Sequence, residues 1–159
     1  MMALLKPLGS EVSLTIAAPV DQVWSLVSDV TRIGEFSPET FEAQWTRGAT
    51  GPAEGARFKG HVKRNGVGPT YWTGCTVTEC VENRLFEFTV GMEGKTPVNR
   101  WGYRLESLGS ETTRVTEYFR LTPSWPIRIY WALLGPFRTR TNERGMRTTL
   151  KRMKAVLEG

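Results

Sequence analysis

From residue 41 to residue 122 the chain consists almost entirely of short segments in which apolar and polar residues alternate. An alternation with a period of two is typical of strands that bury one face, because successive side chains of a strand point to opposite sides. Short turn-forming pairs separate these segments, among them Asn65-Gly66, Glu82-Asn83 and Gly109-Ser110. Turns this short join neighbouring strands in antiparallel order. The sequence therefore predicts a large antiparallel sheet.

The predicted sheet has a further strand near the N-terminus, where Val12, Leu14 and Ile16 alternate with polar neighbours. After Pro19, apolar residues at helical spacing predict a short helix that ends at about residue 29, and residues 30–36 predict a second short helical piece. The seven predicted strands cover residues 11–16, 41–47, 56–64, 70–82, 84–91, 98–108 and 112–122.

The last part of the chain has a helical period. Met146, Leu150, Met153 and Leu157 recur at the spacing of one helix face, which predicts a long helix that covers the sheet. The preceding residues 125–137 are very apolar, and we expect Gly135-Pro136 to break or kink the helix there. No repeat or linker divides the chain, so we predict one domain over residues 1–159, with residues 1–9 as a candidate flexible segment.

The composition, 40% hydrophobic and 23% charged, is that of a folded globular protein. Six Trp, seven Phe and four Tyr supply large aromatic side chains, which can fill a solid core or line a ligand chamber. Both alternatives remain open at this level.

The net charge of +5 is concentrated near the C-terminus, where residues 126–159 alone sum to +6. A solvated helix face is the usual explanation for such a pattern, and no nucleic-acid-binding motif accompanies it. We therefore expect no nucleic-acid partner. The eight basic residues of this region are Arg128, Arg138, Arg140, Arg144, Arg147, Lys151, Arg152 and Lys154, against Glu143 and Glu158.

The residue types that carry metal, nucleotide or nucleophilic chemistry are scarce. Cys75 and Cys80 are five apart on one predicted strand, so we expect them on opposite faces and not joined by a disulfide. His61 is the only histidine, and its neighbours predict that it faces solvent. The sequence has no Gly-rich phosphate loop. We predict no metal site, no cofactor and no Ser/His/Asp or Cys/His catalytic group.

The N-terminal residues carry no signal-peptide cleavage pattern. No apolar run approaches the roughly 18 residues that a membrane span needs. We expect a cytoplasmic location.

The order of the predicted elements and several local stretches resemble a known family. The stretches are APVDQVWSLVSDVTRIGEFSPE, GARFKGHVKRN, YWTGCTVTECVENRLFEFTV, NRWGYRLE, TTRVTEYF and GMRTTLKRMKAVLE. Together they resemble the actinobacterial branch of the polyketide cyclase/dehydrase and lipid-transport proteins, in the START-like (SRPBCC) superfamily that includes the birch-pollen allergen. The resemblance covers residues 11–158. It implies an α+β helix-grip fold, in which a curved seven-stranded antiparallel sheet surrounds the long C-terminal helix, with two short helices after the first strand.

The resemblance also implies a ligand chamber between the concave face of the sheet and the last helix. The alternation within each strand indicates which side chains face this chamber, and the helical stripe adds residues from the helix. The predicted ligand-binding residues are Phe58, Phe86, Phe88, Asn99, Trp101, Tyr103, Glu117, Phe119, Met146 and Leu150.

Two carboxyl groups are predicted to share a strand face with apolar residues. Glu117 lies between Val115 and Phe119 in the alternation, and Glu79 shares a predicted face with Cys75, Val77 and Val81. Burial would raise the pKa of either group toward the range of an acid or base catalyst. A pairing with arginine or tyrosine, or a position in water at a strand end, is the competing interpretation, so both are weak catalytic candidates.

Three classes of function fit these predictions. The first is a protein that binds, and in one version transports, a hydrophobic small molecule such as a lipid or polyketide. The second is an enzyme of the polyketide aromatase/cyclase or dehydratase type, and the third is a regulatory or toxin-like interaction protein. Residues 125–137 are a candidate for transient contact with a membrane surface, for packing on the sheet edge or for homodimer formation.

Overall fold

The computed structural model describes residues 8–63, 69–91, 99–121 and 125–159. It confirms the predicted α+β helix-grip fold. In chain order the elements are β1 (Gly9–Ile16), α1 (Val20–Ser28), a 3-10 helix (Val30–Glu35), β2 (Thr40–Thr46), β3 (Arg57–Val62), β4 (Tyr71–Val81), β5 (Leu85–Gly91), β6 (Asn99–Gly109), β7 (Thr112–Leu121) and α2 (Trp125–Glu158).

The strands form one sheet in the order β1-β7-β6-β5-β4-β3-β2, and every neighbouring pair is antiparallel. Strand β1 pairs with β7, the last strand, so the two ends of the strand-rich region meet in the sheet. Register shifts occur in β2, β4 and β6. Such bulges bend a strand and increase its twist, which helps this sheet to curve.

The two short helical pieces form where the sequence predicts them. Helix α1 follows Pro19 and buries Val23, Leu26 and Val27. Asp29 then caps the 3-10 helix, since its carboxylate accepts hydrogen bonds from the backbone N–H and the hydroxyl of Thr31 at 3.0 Å and 2.6 Å. These pieces support the segment that enters β2.

Helix α2 packs against β1 and β7 through the predicted stripe. Met146, Leu150 and Met153 are buried in the core clusters. Of the expected break or kink at Gly135-Pro136, the break does not occur, because a single helix continues from Trp125 to Glu158, and the kink stays a prediction. A proline removes one helical N–H donor, and here the turns on both sides continue the helix.

A bulge between Val77 and Glu79 reverses the predicted faces in the second half of β4. Glu79 is exposed, whereas Cys80 packs against the core on the same side as buried Cys75. The prediction that Glu79 and Val81 share the inner face is therefore wrong, and so is the expectation that the two cysteines lie on opposite faces. Both thiols are free.

Some predictions lie outside the described residues. These are the Asn65-Gly66 turn, residues 1–7 of the candidate flexible segment, and residues 64, 98 and 122 at predicted strand ends. Leu8 is buried and accepts a backbone hydrogen bond from Leu121 at 2.7 Å, so the chain is held from this residue onward. No helix in the described part of the chain has the length and apolar character to cross a membrane.

Candidate functional site

A cavity of about 350 Å³ lies between the inner face of the sheet and α2. The segment after the 3-10 helix, from Ser37 to Thr40, closes one side. Exposed Tyr71 and Thr141 lie on the wall and mark where the cavity opens to solvent. The described residues that line it are Ile33, Ser37, Pro38, Glu39, Thr40, Phe58, Gly60, Val62, Tyr71, Thr73, Cys75, Phe88, Val90, Asn99, Trp101, Tyr103, Glu117, Phe119, Leu121, Tyr130, Thr141, Asn142, Gly145 and Thr149.

The wall formed by β6 and β7 has polar groups at both ends and an aromatic middle. The successive inward cross-strand pairs are Asn99 with Leu121, Trp101 with Phe119, and Tyr103 with Glu117. The rings of Trp101 and Phe119 lie 5.2 Å apart between their centroids. A strand rises about 3.4 Å per residue, so Asn99 and Tyr103 are separated by about 14 Å along β6. An elongated guest of that length would meet polar groups at both ends.

Glu117 is the carboxyl group at the inner end of this wall. It is 5% exposed, and its Oε1 accepts a hydrogen bond from the Tyr103 hydroxyl at 3.3 Å. Burial raises the pKa of Glu117 to about 8, although the Tyr103 hydrogen bond acts in the opposite direction. Glu117 is therefore mainly protonated at neutral pH. Its Oε2 has no hydrogen-bond partner among the described residues.

Three further polar side chains on the sheet side of the wall are Asn99, Tyr103 and Cys75. The Oδ1 atom of Asn99 is buried and also lacks a partner in the described part of the chain. Burial, together with the neighbouring Glu117, raises the pKa of Tyr103 well above its ordinary value. Burial raises the pKa of Cys75 to about 12, so its thiol is a poor nucleophile. The described residues contain no group of three metal-ligating side chains.

The structure brings most of the predicted ligand-binding residues together. Three of them, Phe86, Met146 and Leu150, lie in the core rather than on the cavity wall. Glu79 lies away from the cavity, as the β4 bulge requires. The predicted residues that do line the cavity are Phe58, Phe88, Asn99, Trp101, Tyr103, Glu117 and Phe119.

Sequence reasoning predicted that α2 contributes to the wall but missed the residues of α2 that line the cavity. Thr141, Gly145 and Thr149 line the cavity at intervals of four residues, next to the buried methionine and leucine stripe. A Cβ atom added at Gly145 would meet no atom within 4 Å. This row of small residues leaves space between the helix and the sheet, and its regular spacing is the signal in the sequence that could have revealed it.

His61 lies on the outer face of the sheet, as predicted, but its ring is largely covered. It stacks on Trp72 with 4.2 Å between ring centroids and also contacts Phe41 at 4.4 Å. Its Nδ1 lies 2.8 Å from Glu42 Oε1. His61 has no part in the cavity wall.

Comparison with known proteins agrees with this architecture. A family model described as polyketide cyclase / dehydrase and lipid transport matches residues 8–158. A START superfamily protein from Mycobacterium smegmatis has a TM-score of 0.73 at 16% identity, over 94% of this chain and 97% of that chain.

Two further solved structures extend the comparison. A polyketide-cyclase-like protein from Corynebacterium glutamicum is 31% identical, with a TM-score of 0.53 over 96% of this chain and 88% of that chain. A protein from Nitrosomonas europaea has a TM-score of 0.69 at 14% identity, over 95% and 94% of the two chains. No curated protein sequence matches the chain.

Proposed function

The chain belongs to the polyketide cyclase/dehydrase and lipid transport family, and from this premise we propose that it binds a small hydrophobic molecule between the sheet and α2. The observation that carries the proposal is the cavity of about 350 Å³, whose wall combines large aromatic side chains from the sheet with polar side chains from the sheet and α2. Sites for small molecules have this character, since apolar walls supply affinity and a few polar atoms fix orientation. The volume is at the lower end of the range of roughly 300–1,000 Å³ for such sites.

A neutral fluorescent probe tests this function directly. N-phenyl-1-naphthylamine becomes strongly emissive in apolar surroundings, so its titration with the protein is expected to show saturable binding of one probe per chain. Unlabelled decan-1-ol is expected to displace the probe. Emission that fails to saturate, or that decan-1-ol leaves unchanged, would contradict the proposal.

The exposed side of α2 supports a role in transport as well as binding. Trp125, Ile129, Leu133 and Phe137 follow one another at intervals of four residues and are 67%, 50%, 72% and 71% exposed. We call these four residues the apolar row. Helices of this kind bury their apolar face at the boundary of a lipid bilayer. The same helix lines the cavity through Tyr130 and Thr141, so contact with a membrane would bring the ligand site close to lipid.

Charge favours an anionic lipid surface over a second copy of this chain as the partner of the apolar row. Residues 125–142 contain three arginines and no acidic residue. Basic groups beside an apolar row attract anionic headgroups. In a symmetric dimer through the same face, two such segments would approach one another and repel. In the proposed transport step, the protein therefore takes up its hydrophobic ligand from an anionic membrane or releases the ligand into it.

A cyclase-type reaction is a second candidate, which the Glu117–Tyr103 pair favours. A carboxyl group with a pKa of about 8 can take up and release protons near neutral pH. Its position on the cavity wall would place it beside a folded poly-β-ketone chain. Cyclisation of such a substrate by the wild type, with loss of the reaction in Glu117→Gln, would establish the reaction.

A further inference from the structure

We propose that the ligand of this cavity carries an uncharged polar group, a hydroxyl or a carbonyl, and that the site discriminates against carboxylates. The inference rests on the proposed binding function and specifies its ligand class. It narrows the expectation of a lipid or polyketide, because it disfavours free fatty acids and favours alcohols, ketones and related neutral compounds.

The first observation is the charge of the cavity wall. Among the lining residues that the structure describes there is no lysine, arginine or histidine, and two residues, Glu39 and Glu117, are acidic. A carboxylate that enters an apolar cavity loses its hydration and needs a cation or several donors in return. The described lining residues offer it no cation, and Glu39 is a further acidic side chain on the wall.

The alternation of β6 and β7 explains why the arginines of these two strands are not among the described lining residues. Asn99, Trp101 and Tyr103 point inward, so the arginines between and beside them point outward. Arg100 and Arg104 have side chains that are each 50% exposed on the outer face. Arg120 also lies on that face and pairs there with Glu11 at 3.1 Å.

The second observation is that two buried oxygen atoms of lining residues, Glu117 Oε2 and Asn99 Oδ1, have no hydrogen-bond partner among the residues that the structure describes. Buried polar atoms of this kind are rare in folded proteins, and each needs a hydrogen-bond partner. Burial keeps Glu117 protonated at neutral pH. Its Oε1 accepts from Tyr103, so a proton on Oε2 makes that atom a hydrogen-bond donor without a partner among the described residues. Asn99 Oδ1 is an acceptor, and a hydroxyl group can satisfy either atom.

Matched ten-carbon compounds test this inference. Displacement of N-phenyl-1-naphthylamine by decan-1-ol, decanoate and decylamine is measured at pH 6.5, with the ligands below the concentration at which they form micelles. We expect decan-1-ol to bind at least tenfold more tightly than either charged compound. Equal or tighter binding of decanoate or decylamine overturns the inference, while displacement of the probe still supports the proposed function. If N-phenyl-1-naphthylamine itself did not bind, that result would instead contradict the proposed binding function.

A charge introduced at the cavity mouth tests the cause of the preference. Thr141 is exposed and lines the cavity, so Thr141→Lys adds a cation there. Ala155→Lys adds the same charge at an exposed position of α2 away from the cavity and is the matched control. We expect Thr141→Lys to tighten decanoate binding at least threefold and Ala155→Lys to leave it unchanged. Decanoate binding that is the same in both variants overturns the inference.

Discussion

Glu117 is a buried carboxyl group whose protonation state depends on the fold. Its carboxyl group accepts a hydrogen bond from Tyr103 on the neighbouring strand β6. On the other side of β7, Glu117 is paired in register with Val12 of β1. The other titratable groups on the described cavity wall are Glu39, Tyr71, Cys75 and Tyr130. Because burial raises the pKa of Glu117 to about 8, the folded chain holds a proton that the unfolded chain releases above a pH of about 4.5.

Replacement of Glu117 by glutamine is expected to change how stability depends on pH. Between pH 5 and pH 8 the folded wild type binds up to one proton more at this site than the unfolded chain, so its free energy of unfolding falls as the pH rises. Relative to Glu117→Gln, the wild type is expected to lose about 3 kcal/mol over this interval. Urea unfolding at pH 5, 6.5 and 8 measures the difference.

The control for this prediction is Glu106→Gln, which changes a carboxylate on β6 whose side chain is 63% exposed. The free energy of unfolding of that variant is expected to change with pH as it does in the wild type. If the free energy of unfolding of Glu117→Gln also changed with pH as in the wild type, Glu117 would be ionised in the folded protein and the prediction would be wrong.

Gly102 and Tyr118 are cross-strand partners, and the Tyr118 ring on the outer face of the sheet leaves no room for a side chain at position 102. A Cβ atom added at Gly102 would lie 2.5 Å from the Tyr118 Cζ and hydroxyl oxygen. The Tyr118 hydroxyl donates to Glu87 at 2.9 Å, and Glu87 is 8% exposed. The guanidinium groups of Arg104 and Arg120 each lie 5.2 Å from the centre of the Tyr118 ring. The glycine therefore allows the tyrosine to lie flat across the strands and to satisfy a buried carboxylate.

Substitution of Gly102 by alanine is expected to displace Tyr118 and weaken its bond to Glu87. The free energy of unfolding should fall by about 1–3 kcal/mol, as for other side chains forced into filled space. Gly109→Ala is the matched control on the same strand, since a Cβ atom there meets nothing within 4 Å. Chemical unfolding of both variants measures the effect, and equal stability of the two would refute the close contact.

At the scale of elements, β4 shows where sequence reasoning fails. Strict alternation predicts Glu79 on the inner face, but the bulge after Val77 places Cys80 there instead. No glycine or proline marks the bulge in the sequence. Alternation alone therefore identified the inward residues of β6 and β7 as far as the β6 bulge, and failed in β4 beyond its bulge.

Helix α2 has different surfaces that a single hydrophobic stripe does not reveal. The predicted stripe through Met146 and Leu150 packs in the core, whereas the small residues beside it line the cavity. The apolar row lies in the first half of the helix and faces outward. Which apolar residues are exposed depends on how the helix crosses the sheet, and that crossing could not be predicted from helical spacing alone.

Substitution within the apolar row is expected to reduce binding to anionic vesicles. Wild-type protein should sediment with vesicles of phosphatidylcholine and phosphatidylglycerol but not with phosphatidylcholine alone, and added salt should weaken the association. Leu133→Glu should lower the bound fraction at least fivefold. Val156→Glu, at a 38% exposed position near the other end of α2, should have little effect.

The proposal of membrane contact fails if Leu133→Glu and Val156→Glu sediment alike. It also fails if light scattering shows that the wild type is a dimer and that Leu133→Glu converts it into a monomer without a change in vesicle binding.

At the scale of the whole molecule, the order of elements and the antiparallel sheet could be predicted because each strand has its own alternation and each turn its own signal. Whether the aromatic side chains fill the interior could not be predicted in the same way. That outcome depends on the size of residues from distant parts of the chain, including Gly145 on α2 and Gly60 on β3, which both line the cavity and have no side chain. Space in a protein interior results from the sum of these volumes, and no local pattern encodes it.

The central claim is that this space receives the ligand, and filling it from α2 tests that claim most directly. Gly145→Leu adds a side chain on the cavity wall at a position where a Cβ atom meets nothing within 4 Å, and it improves helix propensity by roughly 1 kcal/mol. Ala155→Leu adds the same side chain at an exposed position of α2 as a control. We predict that Gly145→Leu stays folded and loses at least tenfold in affinity for N-phenyl-1-naphthylamine, while Ala155→Leu binds like the wild type. Wild-type affinity in a folded Gly145→Leu variant would contradict the claim.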